Sequence, residues 1–217
     1  MHSVIYLFIA LLMCVSCASV PINRSVDNNT FSSSCPDIRI NVNNDFDYIG
    51  NIEYEFDSTS VNGKRTLNNY CTEYIFVTAD NNTVKKYVSV TLCRTETHYV
   101  SDLFSTVTDK LDVGVQDLGN KYFHFYTKLV ATSMKVPFTK YLTDRGLIVP
   151  PFWLSKYFGR VVACNGEILI KLLYGEDIAL SGVPYDQWQK GIGQGQRAFI
   201  EEFNQRCSTA FEILMQQ

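Results

Sequence analysis

The segment "CTEYIFVTADNNTVKKYVSVTLC", residues 71–93, gives the strongest local indication of the fold. Two runs rich in β-branched and aromatic residues flank the loop "ADNNT" at 79–83. Such runs favour β-strands, and Asn and Asp favour the turn between them because their side chains tolerate a left-handed backbone. The stretch therefore predicts an antiparallel β-hairpin.

Strand patterns continue on both sides of this hairpin. In "IEYEF", residues 52–56, the apolar and acidic residues alternate, which is the period of a strand. A further run, "KYFHFYTKLVAT", covers 121–132. The stretch at 150–175, "PPFWLSKYFGRVVACNGEILIKLLYG", predicts a second hairpin around "NG" at 165–166, since both positions of a tight turn tolerate positive φ. Strands are predicted to dominate as far as residue 175.

The C-terminal segment has a different period. Phe199, Phe203, Cys207 and Phe211 recur every four residues, which predicts an amphipathic α-helix over about 196–215. Its apolar stripe needs a surface to cover. The glycine-rich "GIGQGQ" before it is predicted to be a flexible connector, because a phosphate-binding loop needs a strand directly before it within a parallel βαβ unit.

The N-terminal residues predict secretion. Residues 1–18, "MHSVIYLFIALLMCVSCA", carry no Lys, Arg, Asp or Glu and form an apolar run typical of a signal peptide. Residues 19–34 are polar and predict a flexible leader, and 35–217 predict a single extracellular domain. No later apolar run is long enough for stable membrane insertion. The sequons at Asn23, Asn28 and Asn81 predict glycosylation on exposed loops.

Charge and motifs exclude several classes of function. The formal net charge of −3 argues against nucleic acid or an anionic membrane as a partner. After the signal peptide, His98 and His124 are the only histidines, and the cysteine spacing fits no zinc pattern, so neither a metal site nor a cofactor is expected. The chain has no G-x-S-x-G, H-E-x-x-H or phosphate-loop motif, and we expect no enzyme activity.

The cysteines predict disulfide bonds. Five remain after the signal peptide: Cys35, Cys71, Cys93, Cys164 and Cys207. Thiols in an oxidising compartment pair, and an odd number leaves one over. Spacing alone does not fix the connectivity.

Three stretches together carry a family likeness. The segments "CPDIRINVNNDFDYIGNIEYEF" (35–56), "YCTEYIFVTADNNTVKKYVSVTLC" (70–93) and "FWLSKYFGRVVACNGEILIKLLYG" (152–175) resemble lipocalins of the apolipoprotein D and insect bilin-binding type. The resemblance implies an all-β fold: an eight-stranded antiparallel up-and-down barrel with a C-terminal α-helix packed outside. It also implies the bridges Cys35–Cys164 and Cys71–Cys207, which leaves Cys93 for a partner protein or a dimer.

A barrel of this kind implies a carrier function. Its lumen would sequester one small hydrophobic ligand, such as a lipid, retinoid, sterol or tetrapyrrole. Whether a given aromatic side chain lines the lumen or packs in the core depends on the face of its strand. The candidate ligand-binding residues are Tyr54, Phe56, Phe123, Phe125 and Trp153.

Two other functions remain open at this point. One is a secreted β-rich protein-interaction module without a ligand cavity, which would bind through loops such as 57–69 or 131–151. A packed interior, or a bridge between neighbours such as Cys71–Cys93, would favour this module. The other is an isomerase-like or de-epoxidase-like activity on a lipid-like substrate, for which a Cys93 thiol facing a cavity would be required.

Overall fold

The computed structural model describes residues 22–59, 66–95, 107–164 and 166–215, with side chains described within 22–55, 69–94, 107–164 and 166–214. The predicted signal peptide, 1–18, lies outside these residues. The strands are β1 (Arg24–Asp27), β2 (Thr30–Ser34), β3 (Asp37–Val42), β4 (Asp47–Thr59), β5 (Thr66–Asp80), β6 (Thr83–Thr95), β7 (Lys110–Asp117), β8 (Tyr122–Ala131), β9 (Phe152–Ala163), β10 (Glu167–Asp177) and β11 (Phe211–Met215). The helices are α1 (Pro137–Asp144), α2 (Tyr185–Gln189) and α3 (Gln194–Ala210), and a 3-10 turn covers Ile178–Ser181.

The strands form two antiparallel sheets. The smaller sheet has the order β1-β2-β3-β11, and the larger has the order β4-β5-β6-β10-β9-β8-β7. Within the described residues β4 and β7 are the edges of the larger sheet and do not pair with each other. The all-β, antiparallel prediction with a C-terminal helix is therefore confirmed, whereas the closed eight-stranded barrel is wrong. A second sheet, instead of closure, covers the apolar face.

Both predicted hairpins are confirmed. The turn between β5 and β6 places Asn81 and Asn82 at φ 48° and 61°, the left-handed conformation that a tight hairpin turn requires. The strands β9 and β10 pair around 165–166, where Gly166 has φ 115°. The other two predicted strand runs lie within β4 and β8.

The predicted flexible leader is wrong over residues 24–34. This segment forms the hairpin of β1 and β2, with Asn28 and Asn29 at φ 45° and 59° in its turn. Phe31 is fully buried, with its ring centroid 4.6 Å from that of Tyr74 in the larger sheet. One aromatic residue in a short polar strand gives no detectable alternation, so its burial is decided by a contact distant in sequence.

The predicted C-terminal helix ends early. Its stripe of Phe199, Phe203 and Cys207 is buried as expected, but α3 stops at Ala210. The next five residues form β11, in which Ile213 pairs with Ile40 of β3. Pairing with β3 overrides the helical period at this end of the chain.

The core lies between the two sheets and beneath α3. The face of the larger sheet that contacts them is called the core face, and the opposite face is called the outer face. Aromatic and branched side chains pack together in this core. The fully or almost fully buried members include Phe31, Ile38, Ile40, Phe76, Leu92, Phe123, Phe158, Ile170, Leu172, Tyr174 and Phe203.

An ion pair fixes α3 to the core face. The Arg206 guanidinium donates from Nε and from Nη2 to the two carboxylate oxygens of Glu176, each over 2.8 Å. Glu176 is fully buried, and the Tyr174 hydroxyl also donates to it. A planar guanidinium suits this two-pronged contact, so the pair orients the helix as well as attracting it.

Among the described residues, no helix is both long and apolar enough to cross a membrane.

The disulfides agree with one of the two implied bridges. Cys35 is bonded to Cys164, which joins the small sheet to the β9–β10 turn. The implied Cys71–Cys207 bridge is wrong, because Cys71 is bonded to Cys93, its direct neighbour across β5 and β6, with 4.1 Å between their Cα atoms. Cys71 and Cys93 lie on the outer face, whereas Cys207 is a buried free thiol in the core.

Candidate binding site on the outer face of the seven-stranded sheet

The outer face is built by the alternation of each strand. Because cross-strand partners share a face, the register defines rows of side chains that run across the sheet. Two parts of this face are candidates for function: a cavity at the α1 end, and an exposed apolar patch at the β7 edge. The rows that connect them include Ser89, Leu173, Tyr157, Tyr126 and Val113.

A cavity of about 180 Å³ lies between the outer face and the segment that contains α1. Residues 130–133, Val136 and side chains from α1 form its rim, and strands β4, β5, β6, β9 and β10 supply the rest of its lining. The predicted interaction loop at 131–151 therefore contains a helix and closes a cavity. The lining side chains include Tyr54, Glu73, Tyr87, Thr91, Phe138, Trp153, Tyr157, Lys171 and Leu173.

Helix α1 is held against the outer face by packing and by a hydrogen bond. Leu142 is fully buried against the outer face. The Tyr141 hydroxyl donates to the backbone oxygen of Ile49 over 3.0 Å. Gly50, at a bulge in β4 with φ 122°, lies directly under this hydroxyl, where any side chain would collide with it. The glycine thus permits the helix to close over the sheet.

Aromatic rings form one wall of the cavity. The Tyr87 ring centroid lies 4.7 Å from that of Phe138 and 5.0 Å, edge to face, from that of Trp153. The Tyr87 hydroxyl and the Ser155 hydroxyl are 3.0 Å apart, within hydrogen-bond distance. The Trp153 indole N–H donates to the Thr132 hydroxyl over 3.1 Å. These bonds orient two rings of the wall, since Tyr87 and Trp153 are each held by a polar atom as well as by packing, whereas Phe138 is held by packing alone.

The floor of the cavity is polar. Glu73, Thr91 and Lys171 lie side by side on β5, β6 and β10. Burial raises the pKa of the Glu73 carboxyl, and the Ser89 hydroxyl, the Lys171 ammonium and the Tyr54 hydroxyl partly offset that increase. Burial lowers the pKa of Lys171, and the Glu73 charge opposes this decrease. Each group therefore stabilises the ionised form of the other.

One floor hydroxyl is unsatisfied. Thr91 is 1% exposed, and its Oγ1 makes no hydrogen bond of ordinary geometry among the described residues, although the Tyr54 hydroxyl lies close enough for Thr91 to lower the pKa of Tyr54 slightly against the effect of burial. A buried hydroxyl without a partner costs free energy, so native structures usually supply one. The Thr91 hydroxyl lies in the lining of the cavity, where a bound molecule can supply that partner.

The exposed apolar patch consists of Val113, Val115 and Tyr122. Their side chains are 61%, 56% and 70% exposed, and they lie on β7 and β8 on the outer face. The stacked rings of Tyr126 and Tyr157, with centroids 4.6 Å apart, connect this patch with the cavity lining. Apolar residues at such exposure and in such proximity are typical of a surface that another molecule covers.

The structure brings together two of the five predicted ligand-binding residues. Tyr54 and Trp153 line the cavity. Phe123 and Phe125 contact the core on the opposite face of the sheet, so they do not line it. The side chain of Phe56 lies outside the described ones, although its backbone is part of β4.

The polar floor was missed by sequence reasoning. The signal that could have found it is the acidic residue at 73, at the start of the run "EYIFV" (73–77), whose other members are aromatic or aliphatic, and two residues from Cys71. A charge in such a run is buried only if a partner exists, and that partner, Lys171, is nearly a hundred positions away in the chain.

Other predicted positions are placed as follows. The asparagines at 23, 28 and 81 are exposed, which agrees with their predicted location on the surface. Cys93 is disulfide-bonded, so its thiol supports neither an intermolecular bridge nor nucleophilic catalysis. Of the predicted interaction loop at 57–69, residues 57–59 and 66–69 belong to strands and 60–65 lie outside the described residues.

Comparisons with known proteins give no relatives: no family model, no curated protein and no solved structure matches this chain.

Proposed function

We propose that this chain is a secreted, noncatalytic binding protein whose partner is another protein, bound on the outer face of the seven-stranded sheet. The observation that carries the proposal is the exposed patch of Val113, Val115 and Tyr122 on a sheet whose other face is filled. Two disulfides and the apolar N-terminal run support secretion. A noncatalytic binding function is consistent with a sequence that has no G-x-S-x-G, H-E-x-x-H or phosphate-loop motif.

Two further features favour a protein partner over a carrier. The interior between the sheets is packed with side chains, and the bridge from Cys71 runs to its neighbour Cys93. Both features are those that distinguish a protein-interaction module from a ligand-carrying barrel. A protein partner also matches the extent of the site, because the patch and the cavity mouth lie on one continuous face.

The charges beside the patch indicate the chemistry of the partner. Lys110 and Lys128 are direct cross-strand neighbours next to Val113 on the outer face. Burial lowers the pKa of Lys128, with Asp109 opposing the decrease. A partner surface with an apolar centre and carboxylates at one rim would cover the valines and pair with both ammonium groups.

The test is a binding comparison between matched surface variants. The secreted chain would be labelled and screened against an array of extracellular proteins, and each saturable binder would be measured again with variants. The double variant Val113→Arg, Val115→Arg is expected to weaken binding about tenfold or more, because it places two charges in the desolvated centre of the interface.

The control is Leu214→Arg, which introduces the same charged side chain at an exposed apolar position of the smaller sheet. This variant is expected to bind as the unmodified chain does. Equal losses in both variants, or full binding by the double variant, would rule out the outer face as the binding surface. Binding of a second copy of the chain alone would replace the proposed partner with self-association.

A second candidate is the small-ligand carrier that the lipocalin resemblance implies. The observation that favours it is the presence of Tyr54 and Trp153 in the cavity lining. The cavity, at about 180 Å³, is below the range of roughly 300–1,000 Å³ usual for drug-sized ligands. A sterol or tetrapyrrole would therefore extend beyond it, and a carrier with this site would take a more compact molecule.

A further inference from the structure

The cavity beneath α1 combines an acid, a hydroxyl and a base in one row. Glu73 and Lys171 flank Thr91 on adjacent strands, and neighbouring strands lie about 4.8 Å apart. Glu73 and Lys171 thus lie on either side of the buried Thr91, whose hydroxyl makes no hydrogen bond of ordinary geometry among the described residues. A carboxylate, a hydroxyl and an ammonium group therefore line one cavity of about 180 Å³.

Charge balance disfavours singly charged molecules on this floor, and among molecules without net charge a zwitterion is the kind that can pair with both ionised groups. An isolated charge in a buried site is costly, and the floor is neutral when Glu73 and Lys171 are both ionised. A ligand with only an ammonium or only a carboxylate would leave one charge in excess. A ligand that carries both groups would pair its ammonium with Glu73 and its carboxylate with Lys171, so that the site stays neutral.

The wall and the size of the cavity define the rest of the ligand. Phe138, Trp153 and Leu173 present apolar surface above the polar floor. A volume of about 180 Å³ is close to the engineered cavity of about 150 Å³ that binds benzene. The matching molecule therefore has a zwitterionic head and one compact apolar group.

We propose that this cavity is a binding site for a free α-amino acid with an apolar side chain. Its ammonium contacts Glu73, its carboxylate contacts Lys171 and accepts a hydrogen bond from the Thr91 hydroxyl, and its side chain packs against Trp153 and Phe138. The inference does not depend on the protein partner, since the patch residues Val113 and Val115 are not part of the cavity lining.

The test uses three probes that share a phenyl ring. L-Phenylalanine carries both charges, phenethylamine lacks the carboxylate, and 3-phenylpropionate lacks the ammonium. Calorimetric titration of the secreted chain, with the fluorescence of Trp153 as a second readout, is expected to give phenylalanine an affinity at least about tenfold higher than either analogue. The comparison requires no variant and therefore does not depend on whether one folds.

Variants then assign the contacts. Glu73→Gln and Thr91→Val keep the size of each side chain, and each is expected to weaken phenylalanine binding, with the loss for Glu73→Gln about tenfold or more. Glu55→Gln, at an exposed position of β4, is the matched control and is expected to bind normally. Circular dichroism and thermal melting establish that each variant is folded.

Three results would overturn the inference. Equal or tighter binding of phenethylamine would make the site an amine site, and the same result for phenylpropionate would make it an anion site. Absence of heat for every probe at millimolar concentration would leave the cavity without this ligand class. The variant Val113→Arg, Val115→Arg is expected to retain phenylalanine binding, so failure of the protein-binding proposal and failure of this one are distinguishable.

Discussion

The chemistry of Cys207 distinguishes the observed disulfide arrangement from the one that the lipocalin resemblance implies. Its side chain is buried on α3 between the sheets, and burial raises the pKa of its thiol to about 12, with the Lys156 ammonium opposing and the Glu176 carboxylate adding to the increase. The thiolate is the reactive form, so the folded protein holds this thiol in an inert state.

We expect the secreted chain, without residues 1–18, to have one free thiol, which reacts slowly with alkylating reagents while the protein is folded. Iodoacetamide at pH 8 should leave the folded protein unmodified, because burial blocks the access of the reagent and the raised pKa suppresses the thiolate. In guanidinium chloride without reductant, intact mass should show one adduct, and peptide mapping should place it on Cys207. An adduct on Cys93 would instead indicate that Cys71 is bonded to Cys207.

Residue identity predicted the chemistry of the site only in part. Tyr54 and Trp153 were identified as candidates because aromatic residues on alternating strands can line a cavity, and both do. Phe123 and Phe125 satisfied the same criterion but lie in the core. The two faces of β8 are similarly aromatic, so alternation does not indicate which face the second sheet covers.

At the scale of elements, α3 depends on its contact with β10. Arg206 is about two-thirds buried, and it is paired with the fully buried Glu176. The carboxylate itself is fully buried, so in the folded protein it is out of contact with water. Removal of one partner from such a pair leaves a buried charge without compensation.

We therefore expect Arg206→Met to lower the free energy of unfolding by about 3–5 kcal/mol, measured by denaturant unfolding. The control is Glu202→Gln, which removes a mostly exposed carboxylate 3.1 Å from Arg206 on the same helix and should cost no more than about 0.5 kcal/mol. A loss below about 1 kcal/mol for Arg206→Met would mean that α3 is held by its apolar stripe alone.

The elements that the sequence predicts are those whose partners are close in the chain. The turns of the hairpins β5–β6 and β9–β10 contain residues with positive φ, Asn81 and Asn82 in the first and Gly166 in the second, and local chemistry suffices to identify them. The smaller sheet is different, because β3 pairs with β11, and Asn41 reaches Glu212 across 171 positions. No local pattern specifies such a pairing, which is why β11 reads as the end of a helix.

At the scale of the whole molecule, the seven-stranded sheet has two different faces. The core face is covered by the smaller sheet and α3, while the outer face is covered by α1 at one end and leaves the valines of β7 exposed. A closed barrel would have turned one face into a lumen. In the open arrangement, the proposed binding surface lies on the outside of the molecule, as the proposed function requires.

The measurement that tests this claim most directly is hydroxyl-radical footprinting of the chain with and without the protein partner found by screening. Tyr122, 70% exposed on the outer face, is predicted to lose most of its reactivity in the complex, whereas Tyr70, 54% exposed on a core-face position of β5, is predicted to keep it. Protection of Tyr70 with no change at Tyr122 would contradict the account and place the binding surface elsewhere.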